Sequence, residues 1–210
     1  MNDTTSELPS TRPARCLADT RARILAAART CFARNNYESV GIRDIAGAAS
    51  VDPALVCRYF GSKEKLFAEV VTGAFCLEQH MANDLDAARQ QVPDLGYRMA
   101  RSLLADNSEC SAEDCDALQL LLSSAASPTT ASVVSDGFHS EFLQPLAKLL
   151  PGPDAQMRAG LISAYIIGIL TLREALNSPS MVAADRDKII PLLGAAIQAC
   201  LDAPADTTSK

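Results

Sequence analysis

Residues Ile42 to Phe67 read IRDIAGAASVDPALVCRYFGSKEKLF, and this stretch decides the fold. Ile42, Ile45, Ala46 and Ala49 recur at helical spacing. The break Ser50-Val51-Asp52-Pro53 follows, then a second short helix offering Leu55, Val56, Tyr59 and Phe60, and a third opening at Ser62-Lys63-Glu64. Two short helices joined by a tight turn form a helix-turn-helix, whose second helix is small enough to enter the major groove of DNA.

Outward from this unit the helical pattern continues in both directions. Upstream, a helix is predicted from about Asp19 to Arg34, with Ile24, Leu25, Ala28, Cys31 and Phe32 on one face and Asn35-Asn36 as its stop. Residues 1–18 are polar, carry Pro9 and Pro13, and read as a disordered arm. Downstream, Ser62 suits an N-cap, and its helix is expected to run towards Met81. No Gly/Ser linker interrupts it, so one continuous helix should couple the N-terminal unit to the rest.

Five further helices are expected. One lies near Asp94–Ala105 behind Pro93, and one starts at Ser111–Asp114 and carries Leu118, Leu121 and Leu122. A third segment opens with Pro128 in a first helical position, is kinked at Pro145, and ends at Pro151-Gly152-Pro153. A long helix then runs from Asp154 to about Leu176, and the last spans about Ala184–Leu201 with Pro191 inside. The chain therefore reads as all-α. The expected divisions are an arm (1–18), a helix-turn-helix domain (19–66), a helical body (67–203) and a polar tail (204–210).

With 210 residues, 48% of them hydrophobic, there is ample material for a core. The net charge of -6 opposes binding to nucleic acid until it is divided along the chain. Thr11 to Lys65 holds 10 Lys/Arg against 5 Asp/Glu, a local balance of +5, whereas Val71 to Lys210 holds 9 against 17, or -8. Phosphates respond to the local field, because charges beyond roughly 10 Å are screened at physiological salt.

No export signal opens the chain, and the longest uncharged apolar run, Ala159–Leu172, has 14 residues, too few to span a bilayer. A cytoplasmic setting with no membrane partner is expected. The 7 cysteines are then most simply reduced thiols. Cys110 and Cys115 form the one close pair and the basis of an alternative, thiol-sensing reading. The carboxylates of Glu109, Glu113, Asp114 and Asp116 would raise their pKa values and dull them. His80 and His139 are far apart, with no triad, metal-spaced cluster or Gly-rich phosphate loop around them. No catalytic residue, metal or cofactor is expected, and the chain is not read as an enzyme.

Ile24-Leu25-x-Ala27-Ala28, Phe32-Ala33, Tyr37-Glu38, Arg43-Asp44-Ile45-Ala46, Ala49-x-Val51, Tyr59-Phe60 and Ser62-Lys63-Glu64-x-Leu66 resemble, in order and spacing, the TetR (tetracycline repressor) family of bacterial transcription regulators. The resemblance implies a homodimer whose two recognition helices, here about Asp52 to Phe60, bind successive major grooves of a pseudo-palindromic operator. A small-molecule effector in the C-terminal domain would change the spacing of the two heads and release the repressor.

By that resemblance the residues facing DNA are Arg43, Asp52, Pro53, Ala54, Cys57, Arg58, Tyr59 and Lys63. Tyr59 and Lys63 take phosphate-contacting positions, Arg43 a backbone or base-edge position, and Arg58 is the candidate for bidentate guanine reading. Tyr59 could instead belong partly to the core, and Arg58 could serve phosphate alone. Val56, Phe60 and Leu55 are expected in the core.

Four positions depart from the family pattern. Ser50 stands where Gly is usual in the turn. Val40 stands where Thr caps the second helix, a role that Ser39 could assume. Cys57 replaces a common Tyr. Asp52 replaces Ser or Thr, favourable for the helix dipole and repulsive towards phosphate unless it accepts from a cytosine amino group.

In the body, Gly160, Ala164 and Gly168 lie four apart as a smooth ridge on an apolar helix, and the last helix carries Leu192, Leu193, Ala196, Ile197 and Cys200. The resemblance implies that these last two helices form the dimer interface. Effector-site residues stay unassigned. The few cations in the expected pocket region, Arg89, Arg98 and Arg101, give a mild preference for an apolar effector.

Overall fold

The computed structural model describes residues 12–77, 94–104, 112–125, 127–182 and 185–202, and all regular structure among them is helical. The expected tail, most of the expected arm, Met81 and Arg89 lie outside the described residues.

Helix α1 (Arg12–Arg34) starts well ahead of the expected Asp19. Pro13 falls in its first turn, where the missing N–H has no partner to lose, so this proline starts a helix rather than marking irregular chain. Ile24, Ala28 and Phe32 are buried along one face, with Leu25 and Cys31 packed beside them. The Asn35 amide donates to the Cys31 carbonyl at 3.1 Å and closes the helix. A single 3-10 turn, Tyr37–Ser39, leads to α2 (Ile42–Ala48), α3 (Pro53–Phe60) and α4 (Lys63–Ala74).

Ile24, Ile45, Val56, Leu66 and Phe67 make the centre of this head. Each fully buried aliphatic or aromatic side chain contributes about 1.5–3 kcal/mol. The Phe67 ring meets Phe32 edge-on at 5.1 Å and Tyr37 at 4.9 Å. Helix α4 closes at Phe75 (φ -105°, ψ 8°), short of the expected Met81. It packs against α1 on one side and against the body helices Ala112–Ala125 and Ala131–Phe138 on the other, so it does couple head and body.

The described body contains α5 (Leu95–Leu103), α6 (Ala112–Ala125), α7 (Ala131–Phe138), α8 (Gln144–Leu149), α9 (Ala155–Leu170), α10 (Pro179–Val182) and α11 (Arg186–Leu201). The Ala131 N–H bonds the Ser127 carbonyl at 2.9 Å, so Pro128 lies in the turn that feeds α7, ahead of the regular helix. Between α7 and α8 the chain widens into a π turn, His139–Leu143. Pro145 lacks an N–H and its ring crowds the carbonyl four residues back, and the wider turn accommodates both.

Helices α5 and α11 cross closely enough that a Cβ on Gly96 would lie 2.5 Å from the Gln198 nitrogen. The Gly96 N–H donates to Gln198 Oε1 at 2.8 Å. Arg158 of α9 is buried, and its guanidinium donates to backbone carbonyls only: Pro153 at 3.1 Å, Cys200 at 3.1 Å, Leu201 at 3.2 Å, and Pro151. A cation at the C-terminal carbonyls of α11 also complements that helix's dipole.

Helix α9 runs on through a π turn, Thr171–Ala175. The combined stretch Ala155–Ala175 is long and apolar enough, by length and composition, to cross a membrane, a length that the uncharged run alone does not reach. Arg158, Arg173 and Glu174 lie within it.

Candidate nucleic-acid interface

The site begins at the end of α2. Ser50 has φ 52°, the left-handed region, so the turn keeps the conformation for which glycine is usual. The Val51 N–H bonds the Ala46 carbonyl at 3.0 Å and the Ser50 N–H bonds Gly47 at 3.1 Å. These two bonds are a Schellman closure, with Val51 folded back onto the core. Arg23 of α1 donates its Nε to the Ala49 carbonyl at 3.1 Å and fixes the turn from outside.

The start of α2 differs from the sequence reading. Ser39 does not cap it: its hydroxyl donates to the Asn36 carbonyl at 2.8 Å. The N-cap is Gly41, and the Asp44 carboxylate reaches back to the Gly41 N–H at 2.8 Å. Val40, where the family has a capping Thr, is 4% exposed and belongs to the core.

Asp52 caps α3, its Oδ1 accepting from the Ala54 N–H at 2.7 Å, and Pro53 follows in the first turn. Val56 and Phe60 are buried, and Leu55 and Tyr59 half-buried. Asp52, Pro53, Ala54, Cys57 and Arg58 are exposed on one contiguous face, and Arg43 is exposed on α2. Helix α3 ends at Gly61, whose φ of 81° suits glycine.

Two of the expected contact residues sit differently. Tyr59 packs against the core, as the alternative reading allowed. Lys63 turns inward: its Nζ donates to the Tyr37 carbonyl at 2.5 Å and lies 4.0 Å from the centre of the Tyr37 ring. An ammonium has three protons, so this placement still leaves donors beside the N-terminus of α4.

Residues that the sequence reading assigned no role complete the site. Arg21 pairs with Glu69 at 2.5 Å and lies over the Phe60 ring. Burial, then the Glu64 carboxylate bonded to it, pushes the Tyr37 phenol above its ordinary pKa. Glu64 is held below the usual carboxylate range first by the Ser62 hydroxyl. Glu38 is likewise lowered, first by the Ser127 hydroxyl, which donates to its Oε1 at 2.6 Å. Tyr37-Glu38 was visible as a motif, but nothing in its spacing points 89 residues ahead.

Cys110 and the side chain of Cys115 lie outside the described residues. Among the described thiols, burial raises Cys31 and Cys200, which lowers the reactive thiolate fraction. His80 is outside the described residues, and His139 is exposed in the π turn.

A capped short helix with an exposed face carrying Asp52 and Arg58, on a head richer in cations than the body, defines a helix-turn-helix DNA-binding transcriptional regulator. Residues 24–70 match the family model described as bacterial regulatory proteins, tetR family. Residues 94–201 match the tetracyclin repressor-like C-terminal domain. The chain belongs to the TetR family.

Among solved structures it is similar to a TetR-family regulator of Streptomyces coelicolor, with 26% identity, TM-score 0.55 and coverage of 92% of this chain and 99% of that one. It is also similar to NalD of Pseudomonas aeruginosa, described as the secondary repressor of the MexAB-OprM multidrug efflux pump, with 19% identity, TM-score 0.59 and coverage of 88% and 98%. The multidrug binding protein EbrR, complexed with imidazole, matches with 18% identity, TM-score 0.60 and coverage of 95% and 100%. No curated protein sequence matches.

Proposed function

We propose that the chain is a cytoplasmic repressor that binds a pseudo-palindromic operator as a homodimer and leaves it when a small molecule occupies the body. It acts as a regulator rather than an enzyme. The observation that carries this reading is the exposed face of α3, Pro53, Ala54, Cys57 and Arg58, held outward by the buried Val56 and Phe60. Arg58 and Arg43 make no hydrogen bond or ion pair with the described residues, so both guanidiniums are available for base edges or phosphate. Asp52 serves first as the cap of α3, and its second oxygen is free to accept from a cytosine. Tyr59 and Lys63 support the phosphate contact from the flank.

The dimer interface is assigned to α9 and α11. Met157, Leu161 and Tyr165 are exposed along α9, nothing lies within 4 Å of a Cβ built on Gly160 or Gly168, and Leu192 of α11 is 75% exposed. A second copy of the same face would cover this apolar ridge. The effector region is assigned to α4–α7, where Phe138 meets Phe75 edge-on at 5.5 Å and stacks on Phe142 at 5.4 Å, an aromatic cluster that favours an apolar ligand.

The deciding experiment selects duplexes from a random library with the full-length protein and footprints the winners. Two protected half-sites one helical turn apart, bound by a sedimenting dimer, are expected. A monomer that enriches no duplex at low salt would refute the reading.

A further inference from the structure

We propose that Glu38, clasped by the turn ahead of α7, is the joint through which the body sets the orientation of the DNA-binding head. This rests on the operator reading above and adds the route of its regulation. The Ser127 hydroxyl donates to Glu38 Oε1 at 2.6 Å, and with the Thr129 side chain as a smaller contributor it holds that carboxyl below its usual range. Ser127 is continuous with α7, because its carbonyl accepts the Ala131 N–H. Glu38 lies in the 3-10 turn that runs directly into Val40, Gly41 and α2.

The neighbouring residue ties the same turn to the other side of the head. Tyr37 offers its carbonyl and ring to Lys63 and its phenol to Glu64, both in the first turn of α4. The dipeptide Tyr37-Glu38 therefore holds the body on one side and the start of α4 on the other, and leads into α2. A displacement of Ser127 must reach both helices that flank the recognition helix.

Helices α1 and α4 also pack against α6 and α7, but apolar packing is non-directional and tolerates small slides. A hydrogen bond weakens steeply when misaligned, so the polar pair sets the register within which those helices pack. On α7, Phe138 meets Phe75 of α4 edge-on at 5.5 Å, in the region assigned to the effector. A ligand that parts those rings displaces α7 and draws Ser127 with it.

Beside the clasp, Thr130 is 1% exposed and its hydroxyl has no hydrogen-bond partner among the described residues. A buried hydroxyl without a partner is unfavourable, a cost that movement of the turn can relieve. The turn is thus held by the clasp against a built-in tendency to shift.

The test uses the full-length dimer and a duplex that the parent has selected from a random library, with affinity read by fluorescence anisotropy at fixed salt. Ser127→Ala is expected to weaken binding about 3- to 10-fold, the net worth of one ordinary hydrogen bond at the surface. In a Glu38→Ala background the same change should have no further effect, which separates the clasp from the charge of Glu38. Ser127→Thr, which keeps the hydroxyl, should restore parental affinity.

Amide exchange across Ile42–Ala48 should speed up in Ser127→Ala while α9 stays unchanged. Ser140→Ala, which removes a similar bond to Glu141 inside one helical segment, should match the parent. Tight parental binding with unaltered affinity in Ser127→Ala, or equal losses in both backgrounds, would overturn the joint alone. A parent that selects no duplex would overturn the operator reading and the joint with it.

Discussion

Replacing Ser50 by glycine should stabilise the head, and the size of the effect follows from one dihedral. Ser50 has φ 52°, and an L-residue in that region costs roughly 1–2 kcal/mol. Glycine removes this cost but loses more backbone freedom on folding, roughly 0.5–1 kcal/mol. The side chain is exposed, and no hydrogen bond to it is found among the described residues, so nothing else is lost. The difference is a net gain of about 0.5–1 kcal/mol, which lowers the opening rate of the head about 2- to 5-fold.

Native-state hydrogen exchange at the buried amides of α2 and α3 reads this directly, without requiring the whole dimer to unfold in one step. Ser50→Ala keeps the dihedral cost and should leave exchange unchanged within about 1.5-fold. Faster exchange in Ser50→Gly, or an equal gain in Ser50→Ala, would show that the turn stores no such strain.

Other outcomes follow from the interface and the body. Arg58→Ala should relax sequence preference, losing about 1–3 kcal/mol on the selected duplex and little on random DNA, whereas Lys63→Ala should weaken all duplexes alike and lower the salt slope by about one. Binding isotherms at several salt concentrations check both, and an identical loss of discrimination in the two variants would refute the division. Asp52→Asn keeps the cap and removes a charge near phosphate, so random duplexes should bind more tightly, whereas a selected duplex with a cytosine at that position loses its acceptor. Asp52→Ala also loses the cap, at about 0.5–2 kcal/mol of head stability by urea titration. Gly96→Ala should cost about 1–3 kcal/mol or more, because the new methyl meets the α11 backbone and not a flexible side chain. Gly47→Ala, with open space around it, should instead gain about 0.5–1 kcal/mol.

Much of the fold was legible because its signals are local. Asp52 before Pro53 and Ser62 before Lys63 name two helix starts within three residues of the bonds that make them caps. Buried Ile24, Ile45, Val56 and Phe60 show as periodicity. Signals that cross between elements were not legible. Whether Lys63 faces outward depends on where the Tyr37 carbonyl lies, and no spacing encodes that. Ser39 precedes α2 and could have capped it, whereas the residue that reaches the Gly41 N–H is Asp44, from inside the helix. Pro13 reads from the sequence as part of a disordered arm, yet a helix's first turn is where proline costs nothing. The partnership of Glu38 with Ser127 joins segments that only tertiary structure brings together.

The anchor at Arg158 has an evolutionary consequence. Each oxygen it grasps belongs to the main chain, and every residue type supplies that atom. Residues 200 and 201 can therefore drift without unfastening the C-terminal end of α11, while position 158 itself has no substitute. Lysine brings three protons on a single nitrogen and cannot span four acceptors in separate directions. Mild acid leaves the fastening intact, because no carboxylate among the described residues takes part in it. In divergent descendants of this chain, the arginine should outlast the side chains around it.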